Sequence, residues 1–549
     1  MANMNLTKEL QAFLMGEVQD DLDTRKKYSR DTSLFEVMPR LVVFPKNVED
    51  LSKLVKFVKA HPEERLSLTC RSGGTDMSGG ALGESIIVDM SRHFTKLKEL
   101  GEGYAVVEPG MFYRDFEKET LKKGLLLPSF PASWETCTVG GMAANNSAGE
   151  KTLKYGKTED YILRLKAVLA DGNEYVVEPL QGEKLKEKLA SPGFEGDLYG
   201  KMYKMISENH EILSQAKPDV SKNSAGYALW NIWRKPTFDL TQLFCGSQGT
   251  LGIITEITFR LVRPAAHSAL LVLFLRDIGK LAEVVERVMQ YEPESFEAYD
   301  DHTLKFALMH LPDFVRLLKG NVFSLSWQFL PEFLLFLKGG FRLPKFVLLA
   351  EFTGDSELEA REKARDAENA LESLSLQTHL TKSEKEVKKY FTVRRESYNL
   401  LRKHVKGKRT APFIDDVIVK PEFLPEFLPK LTKILKRYPQ LLYTVFGHAG
   451  DGNFHIIPLM NLENRENREL IFKLSQEVYE LVFSYRGSMT AEHNDGIVRT
   501  PFLKAMYGAE VEKLFRETKL AFDPNDIFNP GKKVNGSVQY AIEHIAEKN

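Results

Sequence analysis

Apolar and polar positions along this chain switch between a period of about four and a period of two, and the switches outline its elements. Leu51, Leu54, Val55 and Val58 recur at i, i+3, i+4 and i+7 behind Asn47, a helix-capping residue, with Pro62 just beyond, so an amphipathic helix is predicted there. Short apolar runs at 65–70, 85–90 and 104–108 read as strands, and 112–123 reads as a helix stopped by Gly124. Residues 163–177 read as a hairpin turning at Asp171-Gly172. The charged, helical stretch 184–215 is expected as a surface insertion, and 250–262 as a strand that ends at Arg263-Pro264. These elements predict a mixed α+β lobe over about 40–263. Beyond it, strands at 269–275, near Phe296 and at 346–352 alternate with helices at 278–290 and 356–374, which implies a separate sheet covered by helices.

Composition narrows the function without choosing one. A chain of 549 residues can bury more than one core, and its net charge of −1 exerts no overall pull toward nucleic acid. Its cysteines, Cys70, Cys137 and Cys245, form no C-x-x-C pair, which excludes a disulfide framework and argues against a built-in iron–sulfur cluster. The first twenty residues carry no basic lead and only a short apolar run, so a cytoplasmic or cytoplasm-facing protein is expected. Residues 311–345 interleave bulky apolar residues with Lys and Arg, and two readings stand: contact with a membrane surface, or a helical cover for the second core.

Two glycine-rich loops carry the first chemical signal: TCRSGGTDMSGG at 69–80 and CTVGGMAANNSAG at 137–149, with GSQGTLG at 246–252 as a third. Backbone this rich in Gly, Ser, Thr and Asn approaches a ligand closely and aims N–H groups at a phosphate. Neither G-x-G-x-x-G nor a Walker lysine loop occurs, so the cradle is of another kind. The second signal is LLYTVFGHAGDGNFHIIPLM at 441–460, where a hairpin places His448 and His455 at the ends of one turn; AEHNDGIVR at 491–499 adds Glu492 and His493. Two histidines and a carboxylate leave coordination positions open for substrate, while the alternative is that the histidines merely hydrogen-bond within a turn.

The ordered set RSGGTDMSGG, CTVGG with NNSAG, LKYGKTEDYI, GSQGTLGIITE, GHAGDGNFH, AEH and FDPNDIFNPGK, spread over about Tyr28 to Val534, resembles the FAD-dependent 2-hydroxy acid dehydrogenases of the vanillyl-alcohol-oxidase superfamily. The chain is similar to D-lactate dehydrogenases, glycolate oxidase flavin subunits and D-2-hydroxyglutarate dehydrogenases. That resemblance implies a helical lead over 1–36, a two-part FAD-binding domain over 37–263, a substrate domain with a mainly antiparallel sheet over 264–500, and a C-terminal segment over 501–549 that returns to the flavin.

It further implies that Ser72, Gly73, Gly74, Thr75, Asp76 and Ser78 wrap the FAD pyrophosphate and that Thr138, Gly141, Asn145, Asn146 and Gly149 continue the cradle. Ile253 is placed beside the adenine end and Asn529 near the flavin ring; Thr75 stands where some relatives attach flavin through histidine, so FAD is expected to be non-covalent. A divalent ion (Zn, Mn or Fe) on His448, His455 and Glu492, His493 as base, and Arg394 as carboxylate clamp with Arg395 as rival complete the implied site. The implied reaction is oxidation of a small D-2-hydroxy acid of the D-lactate or D-2-hydroxyglutarate class to the 2-oxo acid. The implied electron acceptor is a quinone, a cytochrome, an electron-transfer flavoprotein or an iron–sulfur subunit. An oxygen-using oxidase, a flavin synthase of ether-lipid precursors and a non-catalytic flavin subunit are the other readings. Gln248 and Asn494 depart from the glutamate and glycine common at those places in the relatives, and Ile457 stands where hydroxyglutarate-type relatives have asparagine, which weakens the carry-over of their substrate preference.

Overall fold

The computed structural model describes residues 6–309, 343–404, 407–439 and 441–547, so the stretch 311–345, apart from 343–345, lies outside the described residues. Among the described residues the chain builds three large sheets and a two-stranded ribbon, Trp233–Arg234 with Thr237–Phe238. In the first, Leu41–Phe44, Ile86–Asp89 and Leu68–Arg71 run parallel with Ile86–Asp89 in the middle, and Glu17–Gln19 adds an antiparallel edge. LVVF and IIVD are buried on both faces, as parallel strands must be. The helix Val48–Ala60 lays Leu51, Leu54, Val55 and Val58 into the same core, and the Asp50 N–H donates to the Asn47 side chain as a cap. The predicted strand at 65–70 starts later, at Leu68, because Arg65 takes a left-handed backbone after a short 3-10 turn.

The second sheet has the order Leu97–Leu100, Tyr104–Val107, Ile253–Arg260, Ile162–Val168, Glu174–Val177, with the last pair forming the predicted hairpin. Gly172 sits at φ +79° in its turn, a conformation that side chains with a Cβ disfavour. The charged stretch expected as a surface insertion folds as three helices, Gly182–Ala190, Phe194–Glu208 and His210–Ala216, but it is not merely superficial. Leu198, Tyr199, Met202 and Ile206 form a buried stripe that joins the main core.

The third sheet is wholly antiparallel. Its order is Gln377–Leu380, His267–Leu275, Phe346–Gly354, Ser295–Asp300, Leu442–His448, Asn453–Met460, Arg409–Thr410, and Val417–Ile418 also pairs with Asn453–Met460. Its register sets up the site: Glu297 lies opposite His448, and Phe446 opposite His455. Opposed residues in an antiparallel pair share a face, and so do residues two apart on one strand, so Glu297, His448 and His455 all project from the same side. After the helix Leu503–Phe522 the chain returns to the first sheet, where Phe528 bridges in parallel to Leu68. One continuous apolar cluster runs through both lobes, from Met142 and Leu165 to Leu348 and Phe454.

Candidate active site

The first glycine loop is half-exposed, and its folding is carried by one carboxylate. Asp76 accepts hydrogen bonds from the Ser78 N–H (2.9 Å), the Ser78 hydroxyl (2.7 Å) and the Gly80 N–H (2.8 Å). The backbone N–H groups of Gly73, Gly74, Thr75, Asp76 and Met77 find no acceptor among the described residues. A Cβ on Gly73 would lie 2.3 Å from the Thr136 carbonyl oxygen, so the first and second loops touch at backbone distance; the Ser72 and Thr138 hydroxyls meet at 2.6 Å. A row of unspent N–H donors beside paired hydroxyls fits a pyrophosphate, whose charge needs such donors.

The remaining predicted cradle residues stitch the loops to each other and to the tail. Asn529 donates to the carbonyls of Gly80 (2.8 Å) and Gln248 (2.7 Å) and accepts from Thr69 Oγ1 (3.1 Å), which ties the first and third loops together. Asn146 caps its helix in a left-handed conformation and donates to Glu159 at 2.8 Å. Gly141 N–H donates to Thr138 Oγ1, and the packing at Gly149 leaves 2.1 Å between a Cβ there and the Phe130 carbonyl oxygen. Ile253 is buried in the apolar core of the first sheet, paired with Val168, so its side chain packs that core.

The second loop reaches the histidine cluster directly. Asn145 Nδ2 donates to the Glu492 carbonyl (2.9 Å), and Asn494 Nδ2 donates to the carbonyls of Asn145 (3.1 Å) and Gly246 (3.0 Å). Two of the three departures from the usual residues, Asn494 and Gln248, have a physical account. Asn494 sits at φ +67°, the region in which glycine is usual, and adds a stitching amide; Gln248, at φ +52°, donates to Ser78 and accepts from the Gly496 N–H.

His448, His455 and Glu492 offer donor atoms that all lie within 4.8 Å of one another. His448 Nδ1 hydrogen-bonds Glu297 at 2.7 Å and His455 Nδ1 hydrogen-bonds Asp415 at 3.0 Å, which leaves each Nε2 as the ligating atom. His448 Nε2 stands 3.2 Å from Glu492 Oε1. Two donors about 2.0–2.1 Å from one tetrahedral ion lie about 3.3 Å apart, so the spacing and the carboxylate-backed imidazoles fit a divalent ion. Burial opposes charge on His448, but Glu297 and Glu492 outweigh it and push it up to about 9. The same pairs act in reverse on Glu492, held well below the usual carboxylate range by His448 and Lys222 against its burial.

His493 lies beside this set, its ring stacked on His455 with centroids 5.0 Å apart and Nδ1 2.7 Å from Asp415 Oδ2. Its side chain is 22% exposed where those of the other two histidines are 6% exposed, so it alone of the three keeps an open edge. The ordinary imidazole value of about 6.5 is not what its surroundings impose: despite burial, Asp415 and Asp416 push it up to about 9. Arg394 is buried and ion-paired with Glu297, while its Nε is a buried donor with no acceptor among the described residues. Its rival Arg395 points elsewhere, to an exposed ion pair with Glu150.

Four residues that the sequence reading missed complete the cluster: Glu297, Asp415, Asp416 and Lys222. Asp416 accepts from Thr490 Oγ1 and from the N–H groups of Glu492 and His493, each at 2.7 Å, and from Asn453 (3.0 Å), so it sets the backbone that presents both residues. Lys222 donates to Glu492 (2.7 Å) and pairs with Asp451 (2.9 Å). The one local signal was the adjacent pair Asp415-Asp416 inside the apolar run PFIDDVIV, since carboxylates so placed require partners.

Residues 39–178 match a family described as FAD binding domain, and residues 264–533 match one described as FAD linked oxidases, C-terminal domain. The chain is 27% identical to the D-2-hydroxyglutarate dehydrogenase of Pseudomonas putida over 94% of its own length, and spans about half (50%) of that relative. It is 28% identical to glycolate oxidase subunit GlcD of Bacillus subtilis, with 92% of each chain covered. Its fold superposes on that of 4-ethylphenol oxidase from Gulosibacter chungangensis, solved as an isoeugenol complex, with a TM-score of 0.67 at 15% identity, over 98% of both chains. The fold is therefore the vanillyl-alcohol-oxidase type, with a large antiparallel sheet in the C-terminal part.

Proposed function

The chain belongs to the FAD-linked oxidase family, and from that premise we propose that it oxidises a small D-2-hydroxy acid to the 2-oxo acid and passes the electrons to a separate acceptor. The observation that carries this reading is the convergence of His448, His455 and Glu492, each imidazole backed by a carboxylate, on a segment bonded to the second glycine loop. Bound in these places, FAD supplies a hydride acceptor and a divalent ion supplies Lewis acidity toward the substrate oxygens. The chain's own residues do the rest. The 73–77 N–H groups hold the pyrophosphate without covalent attachment, and His448, His455 and Glu492 hold the ion. Arg394, with an N–H to spare, meets the substrate carboxylate. His493 would receive the hydroxyl proton at its open edge; a divalent ion held by its neighbours would oppose the pull of Asp415 and Asp416 and lower its hold on a proton.

The test is anaerobic bleaching of the bound flavin by D-lactate, L-lactate, glycolate and D-2-hydroxyglutarate, with and without prior chelation. Bleaching by a D-2-hydroxy acid that chelation abolishes is expected. A yellow protein bleached by none of the four would leave a non-catalytic flavin subunit as the better account. Re-oxidation of the reduced flavin faster by a quinone analogue than by oxygen separates dehydrogenase from oxidase. Candidate acceptors remain a quinone, a cytochrome, an electron-transfer flavoprotein or an iron–sulfur subunit.

A further inference from the structure

Asp415 occupies a position that no glycine motif or histidine motif announces. It lies just before the short strand Val417–Ile418, is wholly buried, and its two carboxylate oxygens address two different imidazoles in different ways: Oδ1 hydrogen-bonds His455 Nδ1 at 3.0 Å, whereas Oδ2 lies 2.7 Å from His493 Nδ1 as an ion-pair contact, out of line for a hydrogen bond. Its main chain is fixed as well, because Arg499, itself buried, donates to the Asp415 carbonyl at 2.7 Å. The next residue, Asp416, fixes the backbone of Glu492 and His493. One side chain therefore sits between the ligand set and the acid–base group, on a stretch with little freedom to move.

We infer that Asp415 is a shared positioning residue: one carboxylate fixes the tautomer and tilt of His455 for the ion through a hydrogen bond and holds His493 for the substrate through an ion pair, so that the two imidazoles are set together. The inference rests on the metal reading above and goes beyond it. The geometry supports it in two ways. An Nδ1–H held by a carboxylate leaves Nε2 as a bare donor and strengthens it, and the loss of such a partner typically weakens metal affinity about 10–100-fold. The rings of His455 and His493 stack with centroids 5.0 Å apart at an interplanar angle of 24°, and among the described residues Asp415 is the carboxylate in direct ion-pair contact with His493.

The experiment compares wild type with Asp415→Asn, both loaded with FAD, in Zn²⁺ competition against a chromophoric chelator and in stopped-flow flavin reduction at saturating Zn²⁺. Asn keeps the size and the main chain of the site and can still accept from His455, but it carries no charge to pair with His493 or to strengthen His455 as a ligand. Zn²⁺ affinity is expected to fall at least about 10-fold, and reduction at saturating Zn²⁺ to stay at least about 10-fold slow, because His493 remains untethered. Zn²⁺ affinity within twofold of wild type overturns the inference. Full recovery of the reduction rate at saturating Zn²⁺ also overturns it, since Asp415 would then serve His455 alone. Should the amide variant fail to retain FAD, Asp415→Ser carries the same comparison. Wild-type protein that binds no Zn²⁺, Mn²⁺ or Fe²⁺ is a separate outcome, which removes the metal reading and this inference with it.

Discussion

Arg394 and Arg395 are neighbours in sequence and face opposite ways in the fold. Arg394 is buried against Glu297, two bonds removed from the His448 ring, whereas the Arg395 side chain is 48% exposed and pairs with Glu150. No periodicity in FTVRRESYNLLR separates them, because either fits a helix face; only the position of Glu297 on the adjoining sheet decides. Arg394→Lys, which keeps the charge but loses the fork, is expected to slow flavin reduction roughly 100-fold, as misplaced substrates do. Arg395→Ala should stay near wild type; equal losses in the two variants, measured by stopped flow, would remove Arg394 from the carboxylate role.

A second residue-scale prediction concerns Asp31, pushed up to about 7 by burial and by the neighbouring Asp76, against its bonds to Ser33. A group whose folded value lies above its unfolded one, about 3.9 for Asp, holds a proton in the fold that the unfolded chain has already lost. Stability of the FAD-free protein therefore falls as pH rises from about 4 to 7. Asp31→Asn should flatten that fall; urea midpoints at pH 5 and 7.5 that change by the same amount in both proteins would count against it.

At the scale of elements, the legible parts were those whose local sequence allows one backbone outcome. The hairpin at Asp171-Gly172, the cap at Asn47 and the turn between His448 and His455 belong to this class. The illegible parts depend on partners 40 to about 270 residues away: Asp415 with His455, Glu297 with His448, Lys222 with Glu492. A buried carboxylate in a strand resembles a solvated one until its partner is known. The helix Phe194–Glu208 misled for a related reason, as its charged residues alternate with an apolar stripe whose burial depends on a core built by distant parts of the chain. Close approach between loops is a property of the same kind and is testable. Gly73→Ala puts a methyl 2.3 Å from the Thr136 carbonyl oxygen, backbone that can yield only by moving the second loop. Overpacking of this sort costs about 1–3 kcal/mol, which predicts FAD binding weakened about 10-fold or more, read as the flavin-to-protein absorbance ratio after gel filtration. An unchanged ratio would mean that the two loops are not both required.

For the molecule as a whole, the division into a flavin lobe and a substrate lobe describes the chain order better than the energetics. The first sheet is closed by the last segment: Leu68 N–H donates to Ile527 O (2.7 Å), Asn529 N–H donates to Leu68 O (2.9 Å), and Lys519 donates to the Thr250 carbonyl (2.9 Å). The carbonyls of Gly80, Gln248 and Gly246 receive their side-chain donors from Asn529 and Asn494. A chain ended at residue 263 loses all of these partners and exposes the apolar cluster that both lobes share. Buried carbonyls left without donors are destabilising by about 1–3 kcal/mol each, and several at once exceed what a lobe of this size holds in reserve. The 1–263 chain is therefore expected to emerge colourless and aggregated, despite containing the three glycine loops. Recovery of that fragment as a yellow, monomeric protein would show that the loops alone suffice for FAD, and that the returning tail contributes stitching the cofactor does not need.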